Sequence, residues 1–284
     1  MNKNEPRLPT EAFEIEISDM DHQEGWTAGM PAGISHQQWP RSTYYGYPLP
    51  HRFTVKVPRE YRVKGEEFIA VSVFFGSDEP YQQYRKKYHG VEQVFANPTL
   101  SPEQENSPFW QGLLAYIQNP HPMERRMKDI LGQSWALIWL TKEEFQAPLS
   151  DFPSHASSLY PGFSIEEMNK DEIGTNCFSD YDDPHYIRMS IRKGDVNVGR
   201  SMEEFEDIDD PNHYIPIFSE EGKKFQLNQY FGSNHIGGTA NPYQGYPEFS
   251  PFYIEFEEEM GGMNMGGGNG QIDLLHDMVD WACG

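Results

Sequence analysis

Apolar and polar residues alternate in short runs along most of the chain, and a period of two predicts strands. Phe13, Ile15 and Ile17 alternate with Glu14, Glu16 and Ser18, the pattern of a half-buried strand. Residues 52–57 place Phe53, Val55 and Val57 on one face, and 68–75 (FIAVSVFF) is the most strand-like run. It is rich in the β-branched and aromatic residues that suit a pleated surface. The polar link 58–67 carries Gly65 and reads as a hairpin connection. Residues 135–140 (WALIWL) form an apolar run short enough for a buried strand, and 185–192 alternates again. Shorter strand candidates lie at 215–218, 225–227 and 252–256.

Helical spacing is confined to the middle and the end. Ser107 and Pro108 predict an N-cap and first position, followed by a stripe of Trp110, Leu113, Leu114 and Ile117 that ends near Asn119. Met123, Met127, Ile130 and Leu131 predict a second short helix over 122–131, stopped by Gly132. Ile272, Leu275, Met278 and Val279 also have helical spacing, so 271–282 reads locally as helix or strand. The fold class expected is α+β and β-dominated, with mostly antiparallel sheets in two similar halves and a few short helices in the middle.

Residues 1–12 read as a flexible lead. The long loop 20–50, dense in Gly, Pro, Trp and Tyr, is expected to be packed by its own aromatics or to be functional. The irregular stretch 146–184 is the best boundary, dividing an N-terminal half, 1–145, from a C-terminal half, 146–284, packed as one compact unit. The two ends also resemble each other, because each runs from a Gly/Pro loop into paired strands. That pattern suggests an internal duplication.

The 284 residues include 37% hydrophobic and 14% aromatic residues, with 22 prolines and 25 glycines. Such a composition suits a loop-rich β protein better than a helical bundle. The net charge of −22 would repel nucleic acid and anionic membranes and attract a cation or a basic protein. The local basic run at 81–90 reads as a solvated face. Cys177 and Cys283 belong to no CxxC pair, which excludes a cysteine zinc site and leaves a single disulfide open. The first residues hold no apolar signal core and no run has membrane length, so the cytoplasm is expected.

The pattern GMPAG, then Trp39-Pro40, then GYPLPHRFTV over residues 29–55 resembles the YwqG-like family of bacterial proteins. His235-Ile236-Gly237-Gly238 is similar to that family's second glycine turn. Asn269-Gly270-Gln271-Ile272 resembles its Gly-Asp-Gly hairpin, with Gly268-Asn269 where the family has Gly-Asp, and Asp280-Trp281-Ala282-Cys283 resembles its Trp-x-Cys ending. The resemblance covers both ends and hardly the middle, 80–230. It implies a β-dominated fold with two similar halves and no demonstrated catalysis. It also favours a strand over 271–275. Relatives encoded beside toxin genes imply an immunity role.

No nucleophile elbow, P-loop, HExxH or dinucleotide fingerprint is present. The glycine run 266–270 lacks the Lys and Ser/Thr that a phosphate cradle needs. Asp183 with His185 and Asp210 with His213 are hints of a metal, the acidic run 203–210 lacks EF-hand spacing and suggests weak divalent-ion binding at most, and no metal or other cofactor is expected. Cys177 has no basic neighbour in sequence to activate it. The acidic runs instead suggest contact surfaces for a toxin with a basic cleft: Glu203, Glu204, Glu206, Asp207, Asp209 and Asp210, and Glu255, Glu257 and Glu258. Phe205 and Phe256 are interleaved as possible anchors. The expected function is a cytoplasmic immunity protein that neutralises a toxin without catalysis. The alternatives are a metal-assisted hydrolase using scattered Asp and His groups, and a housekeeping protein-interaction module.

Overall fold

A computed structural model describes residues 6–76, 90–150, 185–202, 210, 212–263 and 265–284. Among them are eleven strands. These are β1 (Ala12–Ser18), β2 (Gly25–Thr27), β3 (His51–Lys56), β4 (Phe68–Phe75), β5 (Glu124–Lys128) and β6 (Ser134–Thr141). They are followed by β7 (His185–Arg192), β8 (Asn234–Ile236), β9 (Tyr253–Glu257), β10 (Asn269–Asp273) and β11 (Met278–Ala282). Four short helices accompany them: α1 (Val91–Ala96), α2 (Pro108–Gln118), α3 (Lys142–Phe145) and α4 (Glu220–Lys224). The fold is β-dominated α+β, as the alternating pattern predicts. Contacts divide the chain into two interleaved units instead of cutting it near residue 145. One unit is Met1–Gly25, Lys56–Ile69 and His185–Gly284; the other is Trp26–Val55 and Ala70–Pro184.

In the first unit the strand order is β11-β10-β9-β8-β1-β7, with each neighbouring pair antiparallel. The registers line up two rows of side chains on opposite faces. One row is apolar: Phe13, Ile236, Ile254, Ile272 and Val279. Full burial of Ile236, Ile254 and Ile272 contributes roughly 1.5–3 kcal/mol each. Tyr61 sets its ring edge-on to Phe13 at 6.3 Å and to Phe252 at 6.1 Å. The next row is polar: Glu14, His235, Glu255, Gln271 and Asp280.

In the second unit the order is β2-β3-β4-β6-β5. Its core is formed by Phe53, Val55, Val71, Val73, Phe74, Leu137, Ile138 and Trp139, all fully buried. The loop between β2 and β3 is packed by its own aromatics, as expected. Trp39 donates Nε1–H to the Leu49 carbonyl at 2.8 Å and meets Phe74 edge-on, and Tyr45 stacks on Tyr47.

A local motif occurs once in each unit. After β2 the chain turns through Ala28 (φ 59°) and Gly29 (φ 64°), and after β8 through Gly237 (φ 66°) and Gly238 (φ 84°). The first turn residue then donates its N–H to the strand beyond the loop, Ala28 to the Arg52 carbonyl and Gly237 to that of Tyr253. The left-handed conformation is what glycine supplies without a steric cost.

Several expectations are corrected. The predicted helix at 122–131 is instead the hairpin β5–β6, with Met127 paired opposite Trp135. Asp129 closes the turn, its Oδ1 accepting from Leu131 N and Gln133 N and its Oδ2 from the Trp135 indole at 3.1 Å. Ile130 and Leu131 are left 82% and 66% exposed at the tip, so the helical spacing was not a buried stripe. Residues 215–218 and 225–227 are not strands. The Ile215 N–H goes to Asn197 Oδ1 and that of Ile217 to the Tyr246 hydroxyl, so side chains satisfy the backbone that a ladder would use. Helix α2 buries Phe109, Trp110, Leu113 and Tyr116, and Ser107 makes no side-chain cap. The lead is docked where it is described. Glu60 accepts from Thr10 N, Thr10 Oγ1 and Glu11 N at 2.9 Å each. At the C-terminal end, β10 and β11 pair as strands where the spacing alone left helix open.

Candidate functional site

The middle of the polar row of the first unit, His235, Glu255 and Gln271, is buried, although charged side chains are rarely found fully buried. Glu255 is 0% exposed. Its carboxylate accepts the Asn241 N–H at 2.9 and 3.0 Å and the Gln271 side-chain amide at 3.0 Å. Burial pushes its pKa up to about 8, against the pull of those two donors. Two residues on, Glu257 is pushed up to about 7 by burial and by Glu259. His235, opposite Glu255, donates from Nδ1 to the Ser233 carbonyl at 3.0 Å. Burial and the nearby Arg192 hold its pKa well below 6.5, in the neutral state.

Arg192 anchors the other end of this face. Its guanidinium donates to Glu14 at 2.8 Å, to Ser233 Oγ at 2.7 Å and to the Thr239 carbonyl at 3.0 Å, and it lies 4.5 Å above the Tyr230 ring. Asp195 accepts from Thr239 N and Oγ1 at 2.7 Å and from Asn197 N at 2.9 Å. The partners of these buried groups are largely backbone atoms of loops. A buried carboxylate that accepts loop N–H groups fixes the loop's path, because leaving either side unpaired costs more than the bond contributes.

The loops beside them carry a row of three rings, two of them exposed. Residues 213–231 close over a small core of Ile215, Ile217, Leu227 and Tyr230. Helix α4 is capped by Ser219, whose Oγ accepts from Gly222 N at 2.9 Å. With the isoleucines turned inward, Phe218 and Phe231 remain 60% and 50% exposed. Their rings meet at 5.9 Å, and Phe231 meets Tyr243 at 6.0 Å. Tyr243 follows Asn241, the residue clamped by Glu255. Acidic groups lie alongside. Glu220 and Glu221 occupy the first turn of α4, and Glu221 pairs with His213 Nε2 at 3.2 Å. The glutamates at 257, 255, 259 and 258, after burial, push the Tyr243 hydroxyl pKa up.

The sequence-predicted contact residues are scattered in their placement. Glu203, Glu204, Glu206, Asp207 and Asp209 lie outside the described residues, as do Phe205, Cys177, Asp183 and the basic run through 89. Asp210 is exposed, and its carbonyl is bonded to His213 Nδ1 at 2.6 Å. Glu255 and Glu257 are buried on the face that the loops cover, and Phe256 is buried on the opposite face, so none of the three offers a contact surface. Glu258 is half-buried, and its Oε1 accepts from the N–H groups of Met265 and Gly267, so it shapes the glycine loop. The exposed rings Phe218 and Phe231 and the half-buried Tyr243 were missed. Their one sequence signal is that Phe218 directly follows the Ile215–Ile217 alternation, where a strand would turn it outward.

Cys283 is a free, exposed thiol. Among the described residues no three His, Cys, Asp or Glu side chains gather as metal ligands, and no helix is long and apolar enough to cross a membrane. Comparison with family models, with curated proteins and with solved structures finds no match.

Proposed function

We propose that this chain is a non-catalytic binding protein that neutralises a bacterial toxin in the cytoplasm by covering a basic surface on it. The observation that carries the reading is the ring row Phe218–Phe231–Tyr243, with both phenylalanines exposed and Tyr243 half-buried, on loops that buried side chains hold in place. A few aromatic anchors carry much of the binding energy at a typical interface. Fixed loops keep the ordering cost of association small. The acids beside the rings and the net charge of −22 speed encounter with a cationic partner. The resemblance of both chain ends to YwqG-like proteins supplies the toxin as the kind of partner.

The test is a pull-down of the tagged protein with the product of the adjacent gene, at 50 mM and 500 mM salt, for the native chain and for Phe218→Asp and Phe231→Asp. Both substitutions are at exposed positions, so folding should survive them. Capture that weakens with salt and is lost in both variants is the expected result. Capture by both variants at the native level would move the interface elsewhere, and no capture at either salt would remove the toxin reading.

A further inference from the structure

His213 stands at the start of the segment that carries Phe218, and both of its ring nitrogens face acceptors. Nδ1 lies 2.6 Å from the Asp210 carbonyl oxygen, and Nε2 lies 3.2 Å from a carboxylate oxygen of Glu221 in the first turn of α4. A carbonyl oxygen and a carboxylate only accept. A neutral imidazole has one N–H and can satisfy one of the two. The ring completes both bonds only when it carries two protons. His51 and His121 also use both nitrogens, but differently. His51 meets the Gly29 carbonyl and the Thr54 hydroxyl, and His121 meets Glu144 and the N–H of Met123. Each of these has one partner able to donate, so the neutral ring suffices.

Three charged groups surround the His213 ring among the described residues. Asp210 approaches from the preceding turn, with its Oδ1 taken by the Asn212 N–H at 2.8 Å, and its carbonyl also accepts the His213 N–H at 3.0 Å. Glu221 approaches from α4. Arg200 donates from Nη1 to the His213 carbonyl at 2.6 Å, which fixes the backbone of His213 and opposes a charge on its ring. The hydrogen bond to the Asp210 carbonyl, and then Glu221, raise the His213 pKa above 6.5 against burial and Arg200.

From this geometry we propose that His213 is a proton-operated latch. Protonated, it ties the turn at Asp210 to α4 and closes the segment that presents Phe218. On losing its proton it releases one of the two acceptors, and the segment loosens. With the folded pKa raised, this contribution is fully present below pH 6.5 and is lost as pH rises through the folded value. The latch belongs to the chain alone; its effect on the capture of a partner rests on the binding reading above.

Amide hydrogen exchange of the full chain at pH 6 and pH 9, corrected for the intrinsic rate at each pH, tests the latch without a partner. A failed toxin capture therefore leaves it standing. Between the two pH values, peptides within 213–225 should lose about three- to tenfold more protection in the native chain than in His213→Gln, the worth of one partly exposed hydrogen bond to a charged group. The glutamine keeps a donor and cannot take up a proton, while Glu255 and Glu257 act alike in both proteins. In a proton NMR titration the His213 ring should have its midpoint above 6.5, and Glu221→Gln, which keeps an acceptor and removes the charge, should lower it. That second variant carries the test if His213→Gln unfolds. The inference is overturned if protection falls equally in the native chain and His213→Gln, or if His213 titrates at or below 6.5.

Discussion

Replacing Glu255 by Gln isolates the energetic signature of the buried row. A carboxyl whose pKa rises from 4.5 to about 8 on folding holds its proton more tightly in the folded state. Its contribution to stability is fully present below pH 4.5 and is lost as pH rises through about 8. His235 acts in the opposite sense. Its folded pKa lies well below 6.5, so its contribution is present above pH 6.5 and is lost as pH falls. Between pH 4.5 and 6.5 the two slopes oppose each other. Between 6.5 and 8 the His235 slope is spent and the Glu255 slope remains, about 1.5 pH units at 1.36 kcal/mol each, or roughly 2 kcal/mol. Glu257, pushed up to about 7, acts in the same direction in both proteins. Urea unfolding followed by circular dichroism at pH 6.5, 7, 7.5 and 8 measures the effect. The native chain should lose about 2 kcal/mol more than Glu255→Gln across that range, near 1 M in urea midpoint at a typical slope. Any constant cost of the substitution itself cancels in the comparison. Parallel curves for the two proteins would refute the raised pKa and with it the reading of a desolvated carboxylate.

Arg192→Met removes the guanidinium that Glu14, Asp195 and Ser233 share. It should lower the unfolding free energy by about 3–5 kcal/mol, because Asp195 stays buried without its cation. Gly238→Ala places a Cβ 2.8 Å from that of Ala12 and against the Asp195 carboxylate, at φ 84°. A loss of about 1–3 kcal/mol from the backbone alone, plus the displacement, should appear as a lowered urea midpoint. Asp129→Ala deletes the three hydrogen bonds that close the β5–β6 turn. Hydrogen exchange should then speed up at Leu131 and Gln133, with a stability loss of about 1–3 kcal/mol, whereas a helix over 122–131 would leave those amides unaffected.

Strands were legible wherever alternation coincided with real burial. Residues 135–140 have no polar position to mislead, the one polar residue of 68–75, Ser72, is itself buried, and 13–17 keeps Ile15 inside. The 122–131 segment failed because Met123, Met127, Ile130 and Leu131 satisfy a helical period while only Met127 is buried. What decides the conformation there is pairing with β6 and the turn made by Asp129. The acid positions of β9 failed for a different reason. Glu255 and Glu257 alternate with Ile254 and Phe256 as in a strand with one wet face. The wet face is covered by loops more than ten residues away in sequence, and the Asn241 N–H from one of them compensates the Glu255 carboxyl. Local sequence carries no sign of donors that arrive from Asn241. The ring row is hidden for the same reason, since Phe218, Phe231 and Tyr243 come together from positions far apart in sequence.

The position of β1 has a consequence for how the chain is made. Its neighbours in the sheet are β7 and β8, with Ala12 opposite Arg192 and Phe13 opposite Ile236. A ribosome adding roughly 5–20 residues per second therefore releases β1 about 10–40 s before the first strand that can pair with it. During that interval both edges of an apolar-faced strand lie open, and only Glu14 and Glu16 discourage its pairing with another nascent chain. Slowing translation within residues 70–184 should lengthen the wait and lower the soluble yield, whereas slowing it after residue 240 should not.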